Sequence, residues 1–161
     1  MSEQHIKAQR TDVEPPSKQR LRLWIRLLRA TRFLEGELRE RLRREMGTTL
    51  PRFDVLAALD RSDGPMTMTE LSRYLMVSNG NVTGIIDRLV EDGLVSRSQR
   101  HEDRRTSVVV LTKAGETAFA EMATAHENWV DELLAPVGME DAAEAIDILA
   151  RFEHARREAL P

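Results

Sequence analysis

The polar residues with the clearest capacity for specific chemistry lie near the middle of the chain, on one face of a predicted helix. Val82, Ile86 and Leu89 repeat at the spacing of a buried helix face, so the opposite face is exposed. The residues on or beside that exposed face are Ser78, Asn79, Gly80, Asn81, Thr83, Gly84 and Arg88. Amide side chains can pair bidentately with adenine and guanidinium groups with guanine, so this face is suited to reading base edges in duplex DNA.

Two exposed glycines on one helix need an explanation. Each of Gly80 and Gly84 costs about 1 kcal/mol of helix stability relative to alanine, and packing inside the protein does not require a glycine at an exposed position. Close approach of the backbone to a ligand does require one. Ser78, as the residue that caps the helix, also leaves amides free to meet a phosphate. The alternative is an ordinary solvated polar face.

A basic hairpin follows this helix and is predicted over residues 94–113. The segment contains five basic and two acidic residues, a net charge of +3. An arginine at the tip of such a hairpin can enter the narrow, electronegative minor groove. The hairpin is expected to contribute Arg97, Arg100, Arg104 and Arg105 to DNA binding, with Asp103 orienting a neighbouring guanidinium. The alternative is a solvated charged turn, and either Arg104 or Arg105 could be the groove-entering residue.

The elements that must position these residues follow from periodicity and capping signals. Thr67 and Glu70 form a capping box that starts a short helix, and Thr67 and Thr69 at its start complete the predicted DNA-binding set. A tight turn at residues 76–77 separates this helix from the one that begins after Ser78. The predicted element order is α-α-α-α-β-β-α-α, a mainly α (α+β) winged helix-turn-helix with long helices at both ends.

The charge distribution along the chain matters more than its total. The formal net charge is −3 and the isoelectric point about 5.9, which alone argues against a nucleic-acid partner. Residues 114–161, however, carry a net charge of −8, and residues 1–46 carry +5. Because phosphates respond to charge within a Debye length of about 8–10 Å, the acidic total does not exclude DNA binding.

Several classes of function are excluded or disfavoured. The chain has no cysteine, which excludes disulfides, thiolate metal sites and cysteine nucleophiles. The four histidines lack close metal-ligand spacing, and no phosphate-binding glycine loop or nucleophile–base motif is present. No apolar stretch is long enough to span a membrane. We therefore expect a cytoplasmic protein with no catalytic residues, metal or cofactor.

The motifs together resemble the MarR family of bacterial transcriptional regulators. The similarity rests on residues 68–71, 78–89 and 93–95, and most of all on the run from Asp103 to Gly115. It implies a homodimer that binds a pseudo-palindromic operator, usually as a repressor released by a small ligand. It also implies dimerisation helices at 17–46 and 116–161 and a DNA-binding lobe at 47–115. Residues 1–16 are polar and end in a proline pair, which predicts a flexible tail. Ser78, Asn79, Asn81, Thr83 and Arg88 would lie in the major groove, and Arg104 or Arg105 in the minor groove.

The expected effector is a small organic anion. Residues 21–28 and 47–54 resemble family members that control catabolism of aromatic acids, which implies an aromatic acid or its coenzyme A thioester. Candidate pocket walls are Trp24, Phe33, Phe53, Met122, His126 and Trp129. A candidate anion seat is the stripe formed by Arg22, Arg26, Arg29 and Arg32. The alternatives are ordinary core residues for the walls and a solvated stripe for the arginines.

A second class of function uses the same fold. A winged helix can bind another protein without sequence-specific recognition of DNA, because fold alone does not decide function. The arginines of the hairpin and the exposed glycines favour double-stranded DNA as the partner.

Overall fold

A computed structural model describes residues 15–100 and 103–159, apart from the side chains of residues 100, 103–105 and 156–159. The helices are α1 (Pro16–Met46), α2 (Leu50–Asp60), α3 (Met68–Leu75), α4 (Asn79–Glu91), α5 (Lys113–Leu134) and α6 (Met139–Ala159). The strands are β1 (Met66–Thr67), β2 (Val95–Arg100) and β3 (Asp103–Leu111). The architecture confirms the predicted mainly α winged helix-turn-helix with long terminal helices.

The first helix begins at Pro16, one residue before the predicted start at residue 17. Proline suits the first turn of a helix, where its missing N–H has no partner to lose. The rest of the predicted tail, residues 1–14, lies outside the described residues. Gly47 follows the last turn with a φ of 62°, the left-handed conformation in which helices commonly end at glycine. The chain divides into two compact units within α1, at Gly36 and Glu37.

The hydrophobic core of the second unit holds together the elements that carry the polar face. α2 contributes an almost continuous apolar stretch, and α3, α4, the sheet and α5 pack around it. A fully buried aliphatic side chain contributes about 1.5–3 kcal/mol to stability, so these contacts fix which way each helix faces. The completely buried side chains are Leu42, Val55, Leu56, Leu71, Val82, Ile86, Leu89 and Val109.

The sheet is antiparallel, with β3 between β1 and β2. β1 was not predicted: it consists of two residues and pairs Met66 with Val109, 43 positions later in the sequence. The hairpin strands lie within the predicted segment 94–113. Their pairing continues to Arg100 and Asp103, with one register shift between residues 99 and 100.

Two helices keep apolar side chains exposed. On α1, Trp24 is 57% exposed and Phe33 is 59% exposed; on α6, Ile146 is 66% exposed and Phe152 is 70% exposed. Large apolar side chains left exposed in such numbers are typical of helices that pack against a partner. Among the helices the structure describes, none combines the length and apolar character needed to cross a membrane.

Candidate nucleic-acid interface

Local capping bonds define the start of α3 and α4. The Thr67 hydroxyl accepts a hydrogen bond from the Glu70 amide at 3.1 Å, and the Glu70 carboxylate accepts one from the Thr67 amide at 2.7 Å. This is the predicted capping box, which satisfies two amides that a helix start leaves unpaired. The Ser78 hydroxyl accepts from the Asn81 amide at 3.4 Å, so Ser78 caps α4 as predicted.

The turn between the two helices depends on one residue in an unusual conformation. Met76 ends α3 with a φ of 54° and ψ of 38°, in the left-handed region that a residue with a Cβ rarely adopts. Its amide donates to the Arg73 carbonyl, and the Val77 amide donates to the Ser72 carbonyl. The chain therefore reverses within two residues, which brings the start of α4 close to the end of α3.

The orientation of α4 is set by its apolar face. Val82, Ile86 and Leu89 are completely buried, as their spacing predicts. At the end of the helix, the Arg52 guanidinium of α2 contacts the Asp92 carboxylate. With its inner face packed and its end tied to α2, α4 can turn only its opposite face to solvent.

That opposite face carries the predicted reading residues. Asn79, Asn81, Thr83 and Arg88 are exposed, as are both glycines of α4. The Thr83 hydroxyl donates to the Asn79 carbonyl at 2.9 Å. A Cβ built on either glycine would meet no atom within 4 Å. Internal packing thus offers no reason for glycine at these two positions, in agreement with the sequence argument.

An ion pair that sequence reasoning missed links α4 to the wing, the β2–β3 hairpin. Arg97 Nη2 lies 2.9 Å from Asp87 Oδ1, and both side chains are partly exposed. Spacing gives no signal for this pair, because the two residues are ten positions apart on different elements. The contact holds a predicted DNA-binding arginine beside the exposed face of α4.

The wing is an antiparallel ladder with one irregularity near its end. Ser98 pairs with Val108, Gln99 with Ser107 and Arg100 with Asp103, with a register shift between residues 99 and 100. The side chains of Arg100, Asp103, Arg104 and Arg105 lie outside the described residues. Their predicted roles at the DNA and in wing orientation remain predictions that rest on the sequence.

A glycine joins the wing to α5. A Cβ on Gly115 would lie 1.9 Å from the Leu94 carbonyl oxygen, so no larger residue fits there without moving the backbone. The Thr112 amide donates to the same carbonyl at 3.0 Å, and the Thr112 hydroxyl donates to the Gly93 carbonyl at 2.7 Å. Both ends of the hairpin are therefore held at one point.

The two threonines at the start of α3 that were predicted to bind DNA differ in the exposure of their side chains. Thr67 is half-buried and uses its hydroxyl oxygen in the capping box, whereas Thr69 is exposed. The Thr69 carbonyl accepts a hydrogen bond from the Ser72 hydroxyl at 3.0 Å. The exposed side chain of Thr69 can therefore face a ligand at the start of α3.

A second candidate site is a cavity of about 680 Å³ bordered by α2, α3 and α5. The His126 ring stacks on Phe53 with 4.5 Å between ring centres, and Phe119 packs against Phe53 at 5.6 Å. Burial lowers the pKa of the His126 imidazole below its usual value. Polar side chains complete the wall: Asp54, Arg61, Tyr74 and Glu127.

The cavity includes only part of the predicted effector set. Phe53 and His126 line it, whereas Met122 and Trp129 are buried in the core and are not among its lining residues. Helical geometry accounts for the difference, since residues 122 and 129 share one face of α5 and residues 119, 123, 126 and 130 share the neighbouring face. Sequence reasoning missed Arg61, Tyr74 and Phe119.

The remaining predicted effector residues lie on the part of α1 that belongs to the first unit. Arg22, Arg26 and Arg29 line an open depression of about 550 Å³ together with Ile25 and Ala30. The neighbouring side chains Trp24, Arg32 and Phe33 are exposed. The predicted guanidinium stripe is thus a continuous basic surface on one helix.

The amino-acid sequence is similar to those of known proteins. The model of the MarR family matches residues 48–107, which run from the start of α2 into β3. The transcriptional activatory protein BadR of Rhodopseudomonas palustris is 31% identical over 134 residues, which are 81% of this chain and 76% of that protein.

Solved structures share the fold over most of the chain. A MarR family transcriptional regulator from Silicibacter pomeroyi is 33% identical, with a TM-score of 0.74 over 89% of this chain and 99% of that one. AbsC, a MarR family transcriptional regulator from Streptomyces coelicolor, is 26% identical, with a TM-score of 0.76 over 90% of this chain and 97% of that one.

Proposed function

This chain belongs to the MarR family of DNA-binding transcriptional regulators, and on that basis we propose that it binds a pseudo-palindromic operator as a homodimer. In this proposal α4 enters the major groove and the wing follows the flanking minor groove. The single observation that carries it is the face of α4 that has open space at both glycines and exposed amides around them. Within the described part of the chain, no packing contact requires glycine at either of those two positions.

The direct test is a DNA-binding titration. Fluorescence anisotropy with the duplex upstream of the protein's own gene should give saturable binding that weakens steeply with salt. If the dimer neutralises roughly 8 phosphates, the log–log slope should be near about −7. The double substitution Arg104→Ala/Arg105→Ala should abolish binding while the oligomeric state stays unchanged. A slope near zero would contradict DNA binding through this surface and would favour a protein partner instead.

The homodimer proposal rests on the apolar faces of α1 and α6. Trp24 and Phe33 on one helix and Ile146 and Phe152 on the other expose more than half of their surface, which is costly for a single chain in water. The two surfaces also have opposite charges: residues 16–36 contain six basic and one acidic residue, and residues 139–150 contain four acidic and no basic residues. A second copy could cover both, and sedimentation of the chain would reveal it.

The effector proposal rests on the cavity beside α2, α3 and α5. Its stacked Phe53 and His126 rings suit an aromatic ring, and Arg61 offers a guanidinium to a carboxylate. Asp54 and Glu127 on the same wall would discriminate against ligands with several negative charges. We therefore propose an aromatic acid in this cavity. The basic depression on α1 is a separate candidate seat for an anionic ligand such as a coenzyme A thioester.

The effector is tested by adding aromatic acids and their coenzyme A thioesters to the preformed DNA complex. An effector should shift the DNA affinity at micromolar concentration, and Arg61→Ala should weaken the response to an acid. Arg26→Ala should weaken the response to a thioester specifically. If neither acids nor thioesters change the DNA affinity, the proposed ligand class is wrong.

We propose repression, relieved by the effector, as the direction of regulation. The relative BadR carries the name of an activatory protein, so activation is the alternative direction. Because a winged helix-turn-helix dimer occludes whatever promoter element it covers, the position of the operator decides the direction. A reporter driven by the upstream region, with and without the protein, distinguishes repression from activation. The cytoplasm is the proposed compartment, since the DNA target lies there.

A further inference from the structure

The first two turns of α4 lack the side chains that most often read guanine. Residues 78–87 contain no lysine, arginine or histidine, and the first cation of the helix is Arg88 in its last turn. Bidentate recognition of guanine needs an arginine or lysine that reaches its O6 and N7 atoms. Base pairs under the start of this helix must therefore be read by other chemistry.

Amides supply that chemistry. Asn79 and Asn81 are exposed in the first turn of α4, and a side-chain amide can donate to N7 of adenine while it accepts from the exocyclic N6 amine. Thr83 has already given its hydroxyl hydrogen to the Asn79 carbonyl. It therefore presents a methyl group and an acceptor oxygen to a ligand, and a methyl group packs well against the methyl of thymine.

The two glycines add a shape to this surface. Gly80 and Gly84 are one helical turn apart, and a Cβ built on either would lie in open space. Together they leave a shallow notch along the middle of the exposed face. Among the four bases, thymine alone places an apolar methyl group into the major groove. A backbone without Cβ atoms can approach that methyl closely.

We infer that α4 reads adenine–thymine pairs under its first two turns, with amides on adenine and a thymine methyl seated over the notch formed by Gly80 and Gly84. This inference rests on the proposed placement of α4 in the major groove. It adds a base preference that membership of the family does not supply. The first guanine contact in each half-site would lie under Arg88.

The base preference is tested by selection. The full-length protein should enrich half-sites rich in adenine and thymine at the positions under α4 from a library of random duplexes. On the enriched duplex, each adenine is then replaced by 7-deazaadenine, which lacks the N7 acceptor, and each thymine by uracil, which lacks the methyl. We expect at least about a fivefold loss of affinity at the adenine contacted by Asn81, and a smaller loss at one thymine.

A size-matched pair of changes tests the notch. Gly84→Ala adds one methyl group to α4 and raises helix propensity, so the variant should fold at least as well as the parent. It should bind the thymine duplex at least about fivefold more weakly and regain affinity on the uracil duplex, because only one methyl then occupies the notch. Gly64→Ala is the control, since that position also has open space but lies outside α4; its affinity for both duplexes should equal the parent's.

The possible outcomes distinguish a wrong base preference from a wrong placement of α4 in the major groove. Enrichment of guanine–cytosine pairs under α4, or a Gly84→Ala loss that is equal on the thymine and uracil duplexes, overturns the base preference. An Asn81→Ala variant that binds every enriched duplex as the parent does also overturns it. If no duplex is enriched, the placement of α4 in the groove is itself wrong. Unfolding curves recorded for each variant ensure that a loss of affinity is not a loss of fold.

Discussion

Asp87 of α4 and Arg97 of β2 form an ion pair with 2.9 Å between Oδ1 and Nη2. The pair joins the helix that faces the DNA in our proposal to the hairpin beside it. An exposed ion pair contributes only about 0–1 kcal/mol to stability, so its main effect is on where the guanidinium lies.

Asp87→Asn distinguishes positioning from charge. If Asp87 only added negative charge near the phosphates, its removal would strengthen DNA binding. We expect the opposite, a loss of about three- to tenfold in affinity, because Arg97 loses the partner that orients it. Glu91→Gln on the same helix is the matched control and should bind DNA equally well or slightly better. Tighter binding by Asp87→Asn in an anisotropy titration would contradict the positioning role.

Gly115→Ala should be among the most destabilising single changes in the chain. The added Cβ would meet the Leu94 carbonyl oxygen at 1.9 Å, and relief requires the start of α5 to move away from the wing. We expect the free energy of unfolding to fall by about 2–4 kcal/mol, measured by urea denaturation. Gly36→Ala, on an exposed helical position with open space, should stabilise the chain or leave it unchanged. Equal effects at the two glycines would disprove the contact.

Stability should depend on pH through His126. Burial lowers the pKa of its imidazole in the folded state, whereas the unfolded chain retains a pKa of about 6.5. The unfolded state therefore binds the proton more readily, and the free energy of unfolding falls as the pH drops below about 6.5. His126→Phe should reduce this loss between pH 7.5 and 5, because it removes the imidazole that takes up the proton. The packing should be retained, since phenylalanine can still stack on Phe53. If the parent and the variant lose stability in parallel, His126 is not the responsible group.

Two positions on α6 test the homodimer. Ile146 and Leu149 are neighbours on the apolar face and are exposed in the single chain. Glu144 is also exposed and points to the other side of the helix from Ile146, since each residue of a helix turns it by about 100°. Ile146→Asp should shift the chain towards monomer in sedimentation equilibrium, and Glu144→Gln should have a much smaller effect. Dissociation by both changes, or by neither, would place the interface elsewhere.

The sequence predicted the local features of this fold well, and the reason is physical. The capping roles of Thr67 and Ser78 depend on bonds that span three residues, so their signals are contained in short motifs. The buried face of α4 likewise follows from a period of 3.6 residues.

Features that depend on distant residues escaped prediction. Strand β1 exists only because Met66 and Thr67 pair with residues more than 40 positions away. The Asp87–Arg97 pair and the cavity position of Arg61 depend on how separate elements pack. Composition and spacing carry no information about such contacts, which arise only when the core brings the elements together.

The attachment of the wing has a consequence for how such a regulator can change over evolutionary time. Gly93 and Leu94 at one end and Thr112 at the other are joined by hydrogen bonds, and β3 also pairs with β1, so the base of the hairpin is fixed to the rest of the fold. A pair of residues inserted across its strands would lengthen it by about 3.3 Å while the helices stay in place. Its reach along the duplex can therefore be adjusted independently of the rest of the molecule, as a modular arm.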